Sequence, residues 1–272
     1  MTKQAAREFG RLRADLEQII ATLSPEEWEM ESACEGWRVR DVVAHLAANA
    51  HQAIDPIPEP SGAPPLPVNR ERQHDVRVDR RRGNSVAEVL DEFCTYVPLF
   101  EAKLIEQQEE PLASTLVTLG QLGTYPTHAL ANAQVFDYFC HLRHDLLRPY
   151  GPIDPARADR VLREVSNAAL YAAVQWMMWG LPQMQGSDLD DTVIEPVTFE
   201  FTGAGTSTWT VSKRDGDGGL AVTEGDSGAV RVVSDASAFV AWGTTRQPWA
   251  QHCKIEGDAT LAVPLLNAMD IV

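Results

Sequence analysis

The sequence predicts an α+β protein, with helices over its first two thirds and a small α+β unit after them. Up to about residue 181, apolar residues recur at every third or fourth position, which is the spacing of amphipathic helices. Beyond Gly186, apolar and polar residues alternate and β-branched and aromatic residues become frequent, a pattern typical of short strands. We therefore predict two domains, a helical one over residues 1–185 and an α+β one over residues 186–272.

Helix-start signals and apolar periodicity define the helices of the first domain. Ser24 and Glu27 have the spacing of a capping box and Pro25 suits the first helical position, so a helix begins there. The other predicted helices cover residues 3–23, a segment after the turn at Gly36 and Trp37, and residues 85–108, 127–147 and 154–181.

The second domain is predicted to contain an antiparallel sheet. Gly203-Ala204-Gly205 separates two alternating stretches, which is the signal of a β-hairpin. The predicted strands cover residues 193–201, 207–212, 220–223 and 230–233, and two helices follow at about 236–243 and 258–269.

Charge and composition exclude some classes of partner. The chain has 23 Lys and Arg against 39 Asp and Glu, and its net charge of −16 repels nucleic acid and anionic membranes. No apolar run is long enough to span a bilayer and the N-terminal residues lack a signal-peptide core, so we expect a cytoplasmic protein. The four cysteines include no C-x-x-C pair, which argues against a disulfide framework or a structural zinc site.

Two unusual stretches lie in the middle of the first domain. Residues 55–68 contain six prolines, which exclude a helix or a central strand. Residues 70–82 are rich in arginine and locally basic within an acidic chain. Two interpretations stay open for the basic stretch: an exposed, solvated connector, or a lip that attracts an anionic substrate.

The segment over residues 133–147 combines ionisable side chains with apolar ones. Asp137 and His141 are four residues apart and therefore share one face of a helix. The neighbouring Phe139 and Cys140 indicate that this helix is largely buried. Buried ionisable groups are unfavourable unless they are paired or bind a metal, so this pair is a candidate for two ligands of a metal site.

Two segments resemble the DinB-like, maleylpyruvate-isomerase-type metal-binding bundle. That family's signature G-W-x-V-x-D-x-x-A-H-L is similar to residues 36–46, GWRVRDVVAHL, and its acid-x-x-x-His pair is similar to residues 137–141, DYFCH. The region from Phe199 to Asp258 is similar to the sterol-carrier-like domain that often follows this bundle. The resemblance implies an N-terminal antiparallel four-helix bundle followed by a small α+β domain with an antiparallel sheet.

In that family the histidine of the first motif is a metal ligand, which implies a site made of His45, Asp137 and His141. Two nitrogens, one oxygen and an open fourth position form the donor set of a catalytic zinc, and iron, nickel or manganese also fit. The family's best-known members have Glu where this chain has Asp137. The shorter side chain leaves three roles open: direct ligand, ligand through water, and a group that orients a histidine. Substitute ligands are His51, His128, His144 and Asp145.

The resemblance also implies an enzyme whose cosubstrate is a low-molecular-weight thiol, mycothiol, and whose substrate is a small electrophile. A metal-coordinated thiol is deprotonated, and its addition to an activated double bond leads to cis/trans isomerisation or to an S-transferase product. Arg246 is the candidate for holding a substrate carboxylate, with a surface arginine at a helix end as the alternative. The protein is expected to be a monomer or a homodimer.

Two other functions stay open at this point. One is a non-catalytic metal- or ligand-binding protein of the same fold, acting in stress response or as a scaffold. The other is a metal-dependent hydrolase, in which water takes the position of the thiol.

Overall fold

The structure is a computed structural model that describes residues 2–157, 165–185, 187–216 and 218–271. The chain divides into two compact units. The first unit draws its described residues from 2–121 and 125–157, and the second from 122–124 and 165–271. Helices come first and the main sheet comes second, so the predicted fold class is confirmed.

Helices build the first unit. Its helical segments are α1 (Thr2–Ile20), α2 (Pro25–Trp28), α3 (Val39–Ile54), α4 (Arg70–Asp79), α5 (Val86–Glu106) and α6 (Leu130–Cys140), and α6 continues as a π-helix over His141–Leu146. Four of them, α1, α3, α5 and α6, form the body of a bundle, because α1 packs against α5 and α6 while α3 packs against α5. Between α5 and α6 the chain forms two short paired strands, β1 (Leu116–Thr118) and β2 (Thr124–Pro126).

The apolar faces of these helices fill the core, as their periodicity predicts. Phe9, Leu16 and Ile19 lie on one face of α1 and are fully buried. The Phe9 ring packs edge-on against Tyr138 of α6, with ring centroids 4.7 Å apart, and against Phe100 of α5 at 6.2 Å. Each such side chain contributes about 1.5–3 kcal/mol through burial, which holds α6 in place against α1.

The predicted capping box at the start of α2 is present. Glu27 Oε2 accepts a hydrogen bond from Ser24 N at 2.8 Å, and Ser24 Oγ accepts one from Glu27 N at 3.3 Å. Ser85 and Glu88 make the same reciprocal pair at the start of α5. In both helices the cap satisfies backbone N–H groups that have no partner within the helix.

The arginine-rich stretch is mostly helical, since α4 covers Arg70–Asp79. Asn69 caps α4, since its Oδ1 accepts a hydrogen bond from Arg72 N at 3.0 Å. Beyond the helix, Arg81 donates two hydrogen bonds to Glu92 of α5, at 2.7 and 2.6 Å, and its side chain is only 10% exposed. The proline-rich stretch before α4 contains neither helix nor strand, as predicted.

Within its described residues the second unit contains a five-stranded sheet and four helices. Its elements are α7 (Asn167–Met184), α8 (Ser187–Asp190), β3 (Val197–Thr202), β4 (Ser207–Lys213), β5 (Leu220–Glu224), β6 (Val230–Asp235), α9 (Ala236–Gly243), β7 (Lys254–Glu256) and α10 (Ala259–Ala268). The strand order is β5-β4-β3-β6-β7. Three of the four pairings are antiparallel, as predicted, but β3 and β6 pair in parallel, with Phe199 opposite Val232.

The predicted β-hairpin joins β3 to β4. Gly203 and Gly205 have φ of +76° and +79°, in the region that favours glycine. A Cβ at Gly205 would lie 2.6 Å from Leu170 Cβ and 2.8 Å from the Tyr171 N of α7. The turn therefore needs glycine both for its backbone conformation and for its close approach to α7.

Helix α7 belongs to the second compact unit, because it packs against α9 and β5 of that unit. The domain boundary expected between residues 185 and 186 stays a prediction. Part of the helix predicted over residues 154–181 lies outside the described residues. The likeness of the second unit to a sterol-carrier domain stays a prediction.

Nowhere in the described part of the chain is a helix long and apolar enough to cross a membrane. The cytoplasmic location stays a prediction. Among the described residues, Cys34, Cys94, Cys140 and Cys253 form no disulfide.

Candidate metal centre

His45, Asp137 and His141 converge inside the first unit. His45 lies on α3, Asp137 near the end of α6, and His141 at the start of the π-helix. Asp137 Oδ1 lies 3.6 Å from His45 Nε2 and 3.3 Å from His141 Nε2. The three potential ligand atoms all lie within 4.8 Å of one another. The structure thus brings together the three residues named from the sequence, and metal binding by them stays a prediction.

Two of the three separations between these atoms fit a tetrahedral metal. Ligands about 2.0–2.1 Å from a tetrahedral zinc lie about 3.4 Å apart, and the two separations above bracket that value. Asp137 Oδ2 is buried and has no hydrogen-bond partner among the described residues, whereas buried polar atoms are normally satisfied. A cation beside this carboxylate would satisfy it. Of the three roles open to Asp137, these distances favour direct ligation.

The start of α3 fixes the position of His45. Asp41 accepts hydrogen bonds from Arg38 N and Arg38 Nε, both at 2.9 Å, and from Arg82 Nη1 at 3.2 Å. His45 follows one turn later and is 4% exposed. One turn further, Asn49 Nδ2 lies 3.2 Å from His45 Nε2, the ring atom nearest Asp137.

We expect Asp41 to make the stability of the protein depend on pH in the acid range. Burial alone would raise the pKa of its carboxyl, but hydrogen bonds from Arg38 and the charge of Arg82 lower it below the ordinary 3.8. A carboxyl with a lower pKa in the folded state stabilises the fold above its unfolded pKa, and this contribution is lost as the pH falls toward the folded pKa. The Asp41→Asn variant should therefore lose about 1.5–3 kcal/mol of unfolding free energy at pH 7. The loss should shrink as the pH falls below about 4.

Urea unfolding curves at pH 7 and pH 3 measure this difference. The matched control is Asp188→Asn, which changes an exposed aspartate and should leave stability unchanged at both values. An equal cost of Asp41→Asn at pH 7 and pH 3 would contradict the role given to its charge.

The π-helix orients His141. Segments of this kind are rare and occur frequently at functional sites. Asp145 lies four residues after His141, is fully buried, and accepts a hydrogen bond from His141 Nδ1 at 2.8 Å. That bond keeps the proton on Nδ1 and leaves Nε2 facing Asp137. A carboxylate that holds a metal-ligating imidazole in this way is a recurrent arrangement at metal sites.

Burial and charge set the protonation of the three residues. Burial lowers the pKa of His45 by more than the hydrogen bond to Asp137 raises it. Burial acts in the same direction on His141, but hydrogen bonds to Asp137 and Asp145 outweigh it and raise the pKa of His141 to about 9. Burial would raise the pKa of Asp137, but the two histidines hold it well below its usual range. Asp137 is therefore anionic, His45 neutral and His141 protonated at pH 7, and a metal bound at His141 Nε2 would displace the proton there.

Aromatic rings surround the two histidines. Trp37, from the signature that precedes α3, has its ring centroid 5.0 Å from His45 and 6.2 Å from His141. The ring of His74 on α4 meets His45 edge-on at 4.6 Å. Trp37 Nε1 donates a hydrogen bond to Asp75 Oδ1 at 3.2 Å, which fixes the indole. These rings shield the centre from water and so strengthen its electrostatic interactions.

The other residues named from the sequence lie elsewhere or act differently. Arg246 is exposed in a bend of the second unit between α9 and the turn at Trp249–Gln251, and its catalytic role stays a prediction. His51 binds Glu92 of α5. The described residues contain two metal-type clusters, that is, groups of three side chains whose ligand atoms are close enough to hold a metal: one is His45, Asp137 and His141, and the other is Cys34, His141 and Asp145. Neither cluster includes His128 or His144.

Sequence reasoning proposed Asp145 only as a substitute ligand and overlooked its contact with the ring of His141. The four-residue spacing of Asp145 and His141 is the feature of the sequence that indicates such a contact. Asp145 and His141 also form the second metal-type cluster, together with Cys34.

Comparisons with known proteins identify the family of the chain. A family model, the mycothiol maleylpyruvate isomerase N-terminal domain, matches residues 9–146. Two similar solved structures are crystal structures of the mycothiol-dependent maleylpyruvate isomerase and of a histidine-to-alanine mutant of it. For each of the two, the sequence identity to this chain is 13% and the TM-score is 0.52, and the match covers 94% of this chain and 91% of the other chain. This likeness shows the fold. No curated protein matches the chain. With half of its length matched by the model, the chain belongs to the mycothiol maleylpyruvate isomerase family.

Proposed function

We propose that this protein is a metal-dependent enzyme that uses mycothiol to isomerise a small electrophilic substrate, or that joins the intact thiol to such a substrate as an S-transferase. The observation that carries the proposal is the convergence of His45 Nε2, His141 Nε2 and Asp137 Oδ1 within 4.8 Å of one another. This convergence occurs in the part of the chain that the family model covers. Two nitrogens and one oxygen leave one position open, which is the donor set of a catalytic metal site.

We propose zinc as the metal. When bound, a divalent metal of this kind lowers the pKa of a coordinating thiol so that it acts as a thiolate nucleophile. The protein's own groups prepare the site for this chemistry. Asp145 keeps the proton of His141 on Nδ1, and Asp137 supplies a negative charge that favours a cation. Trp37 and His74 limit the access of water.

We propose that Arg246 holds a carboxylate of the substrate. The residue is exposed, and its guanidinium has the fixed geometry that binds a carboxylate through two parallel hydrogen bonds. An Arg246→Lys variant keeps the positive charge but cannot form the two parallel hydrogen bonds of a guanidinium. A fall in kcat/KM for a carboxylate substrate, with mycothiol binding unchanged, would support this role.

The test of the proposed function is consumption of maleylpyruvate by zinc-loaded protein, with and without mycothiol. Consumption that requires the thiol and yields the trans isomer supports an isomerase, and a stable thioether product supports an S-transferase. Consumption that occurs without thiol indicates a hydrolase. Bound zinc without turnover of maleylpyruvate or of a panel of activated alkenes would favour a non-catalytic protein and contradict the proposal.

A further inference from the structure

The ring of His141 has a second group of possible ligands beside its other nitrogen. One ring nitrogen of His141, a carboxylate oxygen of Asp145 and Cys34 Sγ lie within 4.8 Å of one another, and we call this group the Cys34 cluster. Asp145 is hydrogen-bonded to Nδ1 of the ring, whereas Nε2 lies 3.3 Å from Asp137. The two nitrogens of an imidazole point in different directions. The Cys34 cluster and the candidate metal centre therefore share one ring and differ in all other ligands.

Backbone hydrogen bonds hold Cys34 in this position. Ala33 N donates a hydrogen bond to the backbone oxygen of Asp145 at 3.0 Å, which fastens the loop before α3 to the π-helix. Cys34 N donates one to Ser32 Oγ at 3.1 Å, and the Cys34 carbonyl oxygen accepts one from Trp37 N at 3.0 Å. Because both of its backbone groups are bonded, Cys34 keeps its thiol beside the π-helix.

Burial differs among the members of the Cys34 cluster. Asp145 is fully buried and His141 is 7% exposed, whereas Cys34 is half-buried. A carboxylate in the protein interior attracts a cation more strongly than one in water, because the surroundings screen its charge less. The partly exposed thiol gives an ion from solvent a route to that carboxylate.

The ligand types of the Cys34 cluster indicate which metals it prefers. A thiolate is a soft ligand that favours thiophilic ions such as zinc, copper(I) and cadmium over magnesium or calcium. Of the two metal-type clusters in the described parts of the chain, the Cys34 cluster is the one that contains sulfur. The other, formed by His45, Asp137 and His141, offers nitrogen and oxygen alone. A spectroscopic signal of sulfur ligation therefore distinguishes the two.

We propose that the Cys34 cluster binds a second, thiophilic divalent cation through Cys34 Sγ, a carboxylate oxygen of Asp145 and Nδ1 of His141, so that the His141 ring bridges two metal ions. The inference goes beyond the proposed function, because neither the thiol cosubstrate nor the electrophile takes part. Ligands bind a metal in their deprotonated form. As the ion enters, the Cys34 thiol and His141 Nδ1 each release a proton to solvent, so the net charge of this buried region does not change.

The second ion binds more weakly than the first. Its entry replaces the hydrogen bond between Asp145 and His141 and places two dications on one ring, where they repel each other. Asp145 Oδ2 lies 2.8 Å from His141 Nδ1, whereas two ligands of a tetrahedral zinc lie about 3.4 Å apart, so the carboxylate has to rotate slightly. The Cys34 cluster therefore fills when a thiophilic metal is in excess.

Cadmium titration tests this second site. A cadmium–thiolate bond has an ultraviolet charge-transfer band, which cadmium bound by imidazole and carboxylate lacks. Untagged protein, freed of metal with a chelator, is titrated with cadmium while absorption and calorimetry record the band and the stoichiometry. The test variant is Cys34→Ser, which nearly keeps the size of the side chain. The matched control is Cys94→Ser, which changes an exposed cysteine of α5 outside both metal-type clusters.

The wild type should bind about two cadmium ions per chain, of which the weaker shows the thiolate band. Cys34→Ser should lose the band and bind the second ion more than about 100-fold more weakly, because a direct ligand is removed. It should keep the first ion, which also shows that the variant is folded, and Cys34→Ala should behave in the same way. Cys94→Ser should match the wild type. A wild type without the band, or a band that Cys34→Ser retains, would overturn the inference.

The His45→Ala variant separates this inference from the proposed function. It should lose the cadmium ion that lacks sulfur and keep the one with the thiolate band. Loss of the band in His45→Ala would show that His45 and Cys34 bind one and the same ion, and would overturn the second site. If the wild type binds only the sulfur-ligated ion, the inference stands and the centre at His45 fails. If it binds only an ion without sulfur, the inference fails alone.

Discussion

Replacing His45 with alanine is expected to weaken zinc binding by more than about 100-fold. Removing groups that only orient a ligand costs about 10- to 100-fold, and the loss of one of three direct ligands should exceed that. His45 contributes Nε2 to the centre, where this atom lies 3.6 Å from Asp137 Oδ1. Competition with a chromophoric chelator at pH 7.5 measures the affinity of wild type and variant.

The matched control is His51→Ala, which removes a histidine from the same helix. His51 contacts Glu92 and Tyr96 and does not belong to the metal-type clusters, so zinc affinity should stay unchanged. Circular dichroism checks that both variants keep their helices. A folded His45→Ala protein with wild-type zinc affinity would remove His45 from the centre.

Replacing Asp145 with alanine is expected to weaken zinc binding by about 10- to 100-fold, although Asp145 is not expected to touch the metal. The buried carboxylate accepts the His141 Nδ1 hydrogen bond at 2.8 Å, and without it the ring loses both its orientation and part of its basicity. Asp145→Asn retains an oxygen acceptor and should lose less affinity than Asp145→Ala.

Asp145 is fully buried, and alanine in its place leaves buried hydrogen-bond donors without an acceptor, so the Asp145→Ala protein could fail to fold. The asparagine variant keeps an acceptor and therefore provides a second reading of the same role. Unfolding curves of both variants show whether the fold is retained. If folded Asp145→Ala binds zinc as tightly as the wild type, Asp145 has no part in preparing His141 for the metal.

Much of the fold follows from local signals in the sequence. The capping box of Ser24 and Glu27 and the hairpin glycines lie where they were predicted, because a few neighbouring residues determine these features. The helices of the bundle follow from the spacing of apolar residues such as Phe9 and Leu16. His45 and His141 could be named in advance because each lies in a recognisable motif of its own helix, and the structure brings the two together.

Other features depend on contacts between distant residues. Helix α4 has few apolar side chains, so no amphipathic pattern marked it. The parallel pairing of β3 with β6 joins strands about 30 residues apart and has no local signature. The grouping of α7 with the sheet depends on its packing against α9. The hydrogen bond between Asp145 and the ring of His141 depends on the geometry of their side chains, which the four-residue spacing alone does not determine.

The most direct test of the metal centre is the zinc content and zinc-edge X-ray absorption spectrum of protein purified without a polyhistidine tag. The wild type should contain about one zinc per chain, with two imidazole ligands, and His45→Ala should show fewer imidazoles or no zinc. Wild-type protein that takes up no zinc, iron, nickel or manganese, or a zinc spectrum that His45→Ala leaves unchanged, would contradict a centre built from His45, Asp137 and His141.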